Sequence, residues 1–226
     1  AVIQPDLRRL AAAGDVAGAL ALFRQSAEKS AVVLIPVMMF LLVSAEPFVL
    51  TLFSARYAGS VLPFRLYLLI LPARIVLFGA FMMALGLNRM ILYRTVVGLV
   101  ANLILSIVLV RWLGYIGAIV GTILTIYGLA CAWNLAAISR SVGCRWRDII
   151  PFAGLIKLAG VSALAGLFPA VSQRFYSGAP PVIQLLLNAF VYVPALAVLA
   201  WVLRIEWLTG EGIRWWNRLI AFWRKA

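Results

Sequence analysis

The hydrophobic positions of this 226-residue chain form long continuous runs, and its polar positions gather between them. An α-helix needs about 20 apolar residues to cross a membrane, whereas a barrel strand needs about ten residues of alternating pattern. The runs therefore predict an all-α integral membrane protein, a bundle of about six transmembrane helices. The predicted spans are residues 31–53, 61–87, 91–112, 115–138, 149–171 and 182–203.

The two ends of the chain have a different pattern, in which apolar residues recur at helical spacing among charges. Residues 1–30 predict a cytoplasmic amphipathic helical segment that breaks at Gly14-Asp15 and follows an upstream span absent from this sequence. Residues 205–226 predict a cytoplasmic interfacial tail. Residues 31–204 are then the six-span domain. The first stripe is Val16, Leu20, Phe23 and Ala27, and the second is Ile213, Trp216, Ile220 and Trp223.

Composition strengthens the membrane prediction. The chain is 65% hydrophobic and 12% charged, with 20 Lys and Arg against 7 Asp and Glu. Most basic residues fall in segments on one side of the predicted spans, including Arg89 and Arg94 in the second-to-third loop. By the positive-inside rule, both termini of the chain lie in the cytoplasm. The net charge of +13 is thus a signal of topology, and we expect no nucleic-acid partner.

The chain has no histidine, and its two cysteines, Cys131 and Cys144, lack a CxxC partner. Without histidine, Ser-His-Asp catalysis and imidazole zinc ligands are excluded. The cysteine spacing favours buried thiols over a disulfide or a metal site. We therefore expect a protein that is not an enzyme and that holds no metal or cofactor.

Charges inside the predicted spans are the main functional candidates, because one charge at the bilayer centre costs at least about 2.5–3.5 kcal/mol. Glu46 is the only acid within a span. Arg65 and Lys157 lie near span ends, where long side chains reach the membrane surface. Arg74 lies near the middle of the second span and is the best single candidate for contact with an anionic ligand. An ion pair with Glu46 is the alternative explanation for Arg74.

The separation of Arg65 and Arg74 bears on whether they share a site. They are nine residues apart, which places them on opposite faces of a straight helix. Pro72 lies between them, and a proline in a helix interior can kink the helix. We expect the two arginines to share a site only if such a kink is present.

The third and fourth spans carry small and polar residues at helical spacing. Asn102 and a stripe that includes Gly117 and Gly121 fall on such faces. Small residues let helix backbones approach closely within a membrane. The pattern predicts helix contact, with Asn102 in an interhelical hydrogen bond, and Asn102 lining a cavity is the alternative.

Short motifs in a particular order carry a family resemblance. They include Ala45-Glu46-Pro47, Leu71-Pro72-Ala73-Arg74, Ala84-Leu85-Gly86-Leu87-Asn88-Arg89 and Gly114-Tyr115-Ile116-Gly117-Ala118. Their order across most of residues 5–135 resembles the C-terminal half of the polysaccharide and oligosaccharide flippases. These belong to the multidrug/oligosaccharidyl-lipid/polysaccharide exporter superfamily.

The resemblance implies two helical bundles around a central cavity that opens alternately to each side of a bacterial inner membrane. This chain would be the second bundle, and its missing N-terminal half would be a partner. In relatives, cavity arginines hold the pyrophosphate of a polyprenyl-diphosphate-linked glycan, and a groove beside the last helices takes the lipid tail. By position, the resemblance extends to Arg74 first and Arg65 second. Glu46 and Asn102 complete the candidate cavity residues.

The resulting expectation is translocation of lipid-linked oligosaccharide or polysaccharide precursors, with that glycan and membrane lipids as partners. A drug or cation antiporter of the same superfamily is one alternative, but that chemistry needs acids at membrane depth and only Glu46 qualifies. A membrane glycosyltransferase or ligase is the other. Such an enzyme generally needs paired acids or a histidine and a substantial extramembrane loop.

Overall fold

The computed structural model describes residues 3–203, and in this part of the chain all regular structure is helical. Shorter 3₁₀ turns occupy Ala55–Ser60 and Gln173–Phe175, and a π-helical segment occupies Thr125–Cys131. The α-helices are α1 (Ile3–Ala12), α2 (Val16–Val43), α3 (Ala45–Phe53), α4 (Val61–Leu68), α5 (Leu71–Ile75), α6 (Phe78–Ala84), α7 (Asn88–Leu113), α8 (Tyr115–Leu124), α9 (Ala132–Val142), α10 (Trp146–Ile149), α11 (Phe152–Ser172) and α12 (Pro181–Val202).

Five helices among the described residues are long and apolar enough to cross a membrane. A sixth span is present if one bent pair, Ala55–Leu68 with Leu71–Ala84, counts as a single crossing. The predicted all-α class with about six apolar helices is therefore confirmed, and the chain has the make-up of a multi-pass membrane protein. The five helices are Val16–Val43, Asn88–Leu113, Tyr115–Val142, Phe152–Phe175 and Pro181–Val202.

The first predicted span has different helix boundaries in the structure. No break occurs near residue 30, because α2 runs continuously from Val16 to Val43. The chain is instead interrupted at Ser44, after which α3 begins at Ala45. The predicted break at Gly14-Asp15 is present, and Gly14 adopts a positive φ of 77° there. The predicted tail lies outside the described residues.

The second predicted span is divided into α4, α5 and α6. Pro72 has no backbone N–H, so the helix cannot continue its bonding through this point. The bend between the two halves of the pair is 45°. A second interruption follows at Val76, whose backbone is extended, with φ −92° and ψ 112°. The proline kink allowed for in the sequence is therefore part of a span broken at two places.

The described residues form two compact units. Unit 1 comprises residues 3–34 and 62–154, and unit 2 comprises residues 35–61 and 155–203. In unit 1, Phe23 of α2 is stacked on Phe81 of α6, with ring centroids 4.6 Å apart, and lies 6.1 Å from Phe78. The apolar stripe predicted on the N-terminal segment thus packs, through Phe23, against a neighbouring helix of the same unit.

The pair α7 and α8 has the close contact that the small-residue pattern predicts. A Cβ atom on Gly117 would collide with the backbone of Leu109, and one on Gly121 would lie 3.1 Å from the backbone nitrogen of Ser106. Asn102 Nδ2 donates a hydrogen bond to Thr122 Oγ1 across the pair at 3.2 Å. The predicted interhelical hydrogen bond of Asn102 is therefore confirmed.

Unit 2 is held together by polar side chains that bond to one another. The fully buried Asn188 donates through Nδ2 to Ser44 Oγ at 3.1 Å and accepts from the Tyr176 hydroxyl at 2.7 Å. The Tyr192 hydroxyl donates to the Pro36 carbonyl at 2.9 Å. These bonds connect the Ser44 interruption and the proline of α2 to α12.

Candidate functional site

A cavity of about 480 Å³ lies within unit 1, at the level of the broken second span. Its walls come from the α5–α6 region, from the second and third turns of α7, and from the π-helical segment with the start of α9. The lining residues that carry polar or charged groups are Arg74, Arg94, Thr95, Cys131 and Asn134. The volume falls within the range of about 300–1,000 Å³ typical of small-molecule sites.

Irregular backbone produces this cavity. The interruptions at residues 69–70, just before Pro72, and at Val76 turn the chain away from a straight helical path. On the facing wall, Thr125–Cys131 is π-helical, a form whose i→i+5 hydrogen bonds enclose one more residue than those of an α-helix and so widen it. Non-helical backbone at membrane depth is tolerated where it is buried in protein or lines a water-filled cavity. Both walls of the cavity therefore contain backbone that departs from a regular α-helix.

Arg74 occupies the last turn of α5, and its exposed side chain lines the cavity. The one ion pair among residues 3–203 joins Arg9 to Asp6, 3.6 Å apart at the surface. Arg74 therefore has no acidic partner within the described part of unit 1. Its guanidinium is left available to a ligand.

Arg94 lies in the second turn of α7 and is half-buried beside the same cavity. Its Nη1 donates to Asn134 Oδ1 at 3.4 Å, near the long limit for a hydrogen bond. Asn134 is only 3% exposed, so the amide is fixed while the guanidinium remains at the cavity edge. Arg94 also lies close enough to Cys131 to act on its thiol electrostatically.

The electrostatics of the cavity favour anions. Two guanidinium groups line it, and none of its lining residues in the described chain is acidic. A guanidinium presents five donors in a planar fork that matches phosphate and carboxylate oxygens. The arrangement is therefore suited to holding an anionic group rather than to transferring a proton from one side chain to another.

The residues predicted from sequence are not all brought together. Arg74 lines the cavity, whereas Arg65 is exposed on α4 and is absent from its walls. Asn102 lies on α7 but bonds to Thr122 instead. Glu46 is exposed on α3 in unit 2, as is Lys157 on α11. Of these five residues, Arg74 is the one that the structure places at this cavity.

The predicted placement of Arg94 in the second-to-third loop was wrong, whereas its use as a topology signal stays a prediction. The sequence pattern assigned this arginine to the second-to-third loop as a topology signal, but it lies inside α7, which already begins at Asn88. A basic residue near the end of an apolar run is usually a topology signal. Asn134, its hydrogen-bond partner, is 40 positions away, and nothing in the sequence relates the two. One signal in the sequence did indicate that Arg94 lies within a helix, because the apolar run of the third span begins before it.

Comparison with protein-family models, with curated proteins and with solved structures finds no match to this chain. The fold and the cavity therefore define only the class of protein. It is a multi-pass α-helical membrane protein with a cationic cavity inside one unit.

Proposed function

We propose that this protein translocates lipid-linked oligosaccharide or polysaccharide precursors across the cytoplasmic membrane by alternating access. The observation that carries the proposal is the cavity in which Arg74 and Arg94 lie without acidic partners. The order of sequence motifs, which resembles that of the polysaccharide flippases, supplies the substrate class. The partners proposed with it are a polyprenyl-diphosphate-linked glycan, membrane lipids and the missing N-terminal half of the same protein.

The charge of the cavity suits the head group of such a substrate. A diphosphate carries its negative charge on oxygens that a guanidinium fork can contact in pairs. Placing two unpaired arginines within apolar helices is costly, and a bound anion offsets that cost. Apolar cavity residues such as Leu77 and Ile126 lie beside the arginines, where they would contact the less polar parts of the ligand.

The broken helices suit a protein that changes conformation. Discontinuous helices at substrate sites are a recurring feature of secondary transporters. The two interruptions beside Arg74 are places where backbone dihedrals can change without disturbing a continuous helix. Translocation requires no bond to be made or broken on the substrate, so the cavity needs only to bind, move and release.

A transport assay tests this function directly. Arg74→Ala and Arg94→Ala would each be compared with the intact protein for movement of a labelled lipid-linked sugar in liposomes. We expect each substitution to slow transport by about ten-fold to one hundred-fold, because a hydrogen bond to a charged group contributes about 1.5–3 kcal/mol. Arg111→Ala is the matched control, since Arg111 is exposed on the same helix as Arg94 and lies outside the cavity. Unchanged transport at normal expression in both variants would refute the proposal.

Cys131 gives a second measurement that is independent of transport. In a Cys144→Ser protein it is the remaining cysteine, and it lines the cavity. Its thiolate attacks a methanethiosulfonate reagent, forming a mixed disulfide and releasing methanesulfinate. The ratio of the sulfonate rate to the trimethylammonium rate is compared with that of a small free thiol, because a thiolate by itself favours the cationic reagent. We expect a higher ratio at Cys131 than for the free thiol, and pyrophosphate to slow both reactions. A ratio equal to that of the free thiol, with no effect of pyrophosphate, would contradict an anion site.

A further inference from the structure

Tyr127 links the two irregular walls of the cavity. It lies in the π-helical segment Thr125–Cys131, and its hydroxyl donates to the backbone carbonyl of Leu69 at 2.6 Å. Leu69 lies between α4 and α5, at the first interruption of the broken span. This is a short hydrogen bond between positions 58 residues apart in sequence.

The Leu69 carbonyl is available because the helix is broken at this point. In a continuous α-helix it would accept from the amide of Ala73, four residues later. That amide instead donates to the carbonyl of Ile70 at 3.1 Å, and Pro72 has no amide hydrogen to offer. An unsatisfied carbonyl within a membrane is costly, so the Tyr127 hydroxyl replaces the lost helical donor.

The position of this bond relates it directly to the cavity. On one side, Ala73 and Arg74 line the cavity immediately after the break. On the other, Ile126 and Cys131 line it from the same π-helical segment as Tyr127. The bond therefore fixes the distance between the wall that carries Arg74 and the wall that carries Cys131.

We propose that Tyr127 is a positioning residue for the anion site: its hydroxyl holds the α4–α5 break open and thereby keeps Arg74 in the cavity. The Leu69 carbonyl has two alternative donors, the Tyr127 hydroxyl and the Ala73 amide. Without the Tyr127 hydroxyl, this carbonyl would be free to accept from the Ala73 amide, which would make the break helical and move Arg74 relative to the opposite wall. This inference rests on the proposed function, because it assigns Tyr127 to the same anion site.

The test uses the charge preference of Cys131 in the intact Cys144→Ser protein, measured as the rate with the sulfonate reagent divided by the rate with the trimethylammonium reagent. Tyr127→Phe removes the hydroxyl and keeps the ring. We expect it to lower the ratio by about three-fold or more, toward the value of Arg74→Ala, because the cation would lie farther from the thiol. Tyr115→Phe is the control, since Tyr115 is exposed and its hydroxyl has no hydrogen-bond partner among the described residues.

A double variant separates positioning from general loosening of the fold. If Tyr127 acts through Arg74, adding Tyr127→Phe to Arg74→Ala leaves the ratio unchanged. A further fall of the same size in the double variant would overturn the positioning role, as would an unchanged ratio in Tyr127→Phe alone. These two results leave the anion site intact, provided that Arg74→Ala itself lowers the ratio. If Arg74→Ala has no effect on the ratio, the role of Tyr127 is overturned, and the anion site itself is overturned only if Arg94→Ala, whose guanidinium acts on the Cys131 thiol, also leaves the ratio unchanged.

Discussion

Two buried asparagines, one in each unit, have opposite surroundings. Asn188 in unit 2 is fully buried, and both sides of its amide bond to neutral hydroxyl groups, those of Ser44 and Tyr176. Asn134 in unit 1 is 3% exposed and accepts a single long bond, from the guanidinium of Arg94 at 3.4 Å. The same side chain thus completes a neutral network in one unit and orients a charge in the other.

The difference separates polar groups that stabilise from polar groups that bind. In unit 2 the donors and acceptors of the asparagine amide are used within the protein, which favours a single arrangement of the helices. In unit 1 the asparagine accepts from one nitrogen of the Arg94 guanidinium, and a second nitrogen donates a long bond to Thr95 Oγ1 at 3.4 Å, so part of the donor capacity of this group is still unused within the described residues. A buried polar residue is therefore a candidate for ligand binding when its partner has unused hydrogen-bonding capacity.

The largest expected effect is on the network of unit 2. Asn188→Leu leaves the fully buried Ser44 hydroxyl without its asparagine partner and removes one of the two side-chain partners of the Tyr176 hydroxyl, which keeps Ser172 at 2.8 Å. We expect it to destabilise the protein by about 2–3 kcal/mol, because unsatisfied buried polar groups cost about 1–3 kcal/mol each. The thermal midpoint of the purified protein measures this, and the charge preference of Cys131 should remain that of the parent. A changed charge preference would break the contrast between the two units.

A slightly smaller loss of stability is expected when the close contact between α7 and α8 in unit 1 is disturbed. Gly117→Ala places a methyl group against the backbone of Leu109. We expect a loss of about 1–3 kcal/mol, since overpacking forces the helices apart. Gly128→Ala is the matched control, because a methyl group there meets no atom within 4 Å. Equal thermal midpoints for the two variants would show that close approach of α7 and α8 contributes nothing to stability.

Asn134→Leu sharpens the comparison directly. It removes one long hydrogen bond, so we expect a destabilisation of about 1 kcal/mol, well below that of Asn188→Leu. Its main effect should be on function: Arg94 loses its orientation, and protection of Cys131 by pyrophosphate weakens. If Asn134→Leu destabilised as much as Asn188→Leu and left protection unchanged, the assignment of the two roles would be reversed.

The smallest effect concerns Cys144, in the connection between α9 and α10. Partial burial raises the pKa of the Cys144 thiol above its usual value, and the nearby Asp148 adds to the increase. Less thiolate is therefore present at neutral pH, and alkylation of a Cys131→Ser protein should still be accelerating as the pH passes 9. Alkylation of the unfolded chain, measured in parallel, should level off at lower pH. Identical profiles would show that the fold leaves this thiol unperturbed.

Much of the fold could be predicted from the sequence because span formation depends on local composition. The long apolar runs identify α7, α8–α9, α11 and α12, and glycines at helical spacing identify the contact between α7 and α8. Pro72 permitted a kink in the second span, but it did not by itself predict that the span is broken. The extended backbone at Val76 has no comparable signal, because neither glycine nor proline stands at that position.

The site was less predictable because it depends on partners far apart in sequence. Arg74 was identified by its depth in the second span and by the family resemblance, neither of which needs a partner residue. Arg94 and Asn134 meet across 40 positions, and Tyr127 and Leu69 across 58. A tyrosine in an apolar helix and a backbone carbonyl carry no pairwise pattern, so neither contact could be inferred before the helices were placed together.

The bond between Tyr192 and Pro36 also sets an order of assembly during synthesis. Its two residues are 156 positions apart, and most of unit 1 is made in the interval between them. At a synthesis rate of roughly 5–20 residues per second, about 8–30 s pass between the synthesis of Pro36 and that of Tyr192. The interval between the synthesis of Ser44 and that of its hydrogen-bond partner Asn188 is almost as long. Unit 2 can therefore close only when the last described helix leaves the ribosome, whereas the chain of unit 1 is complete well before that.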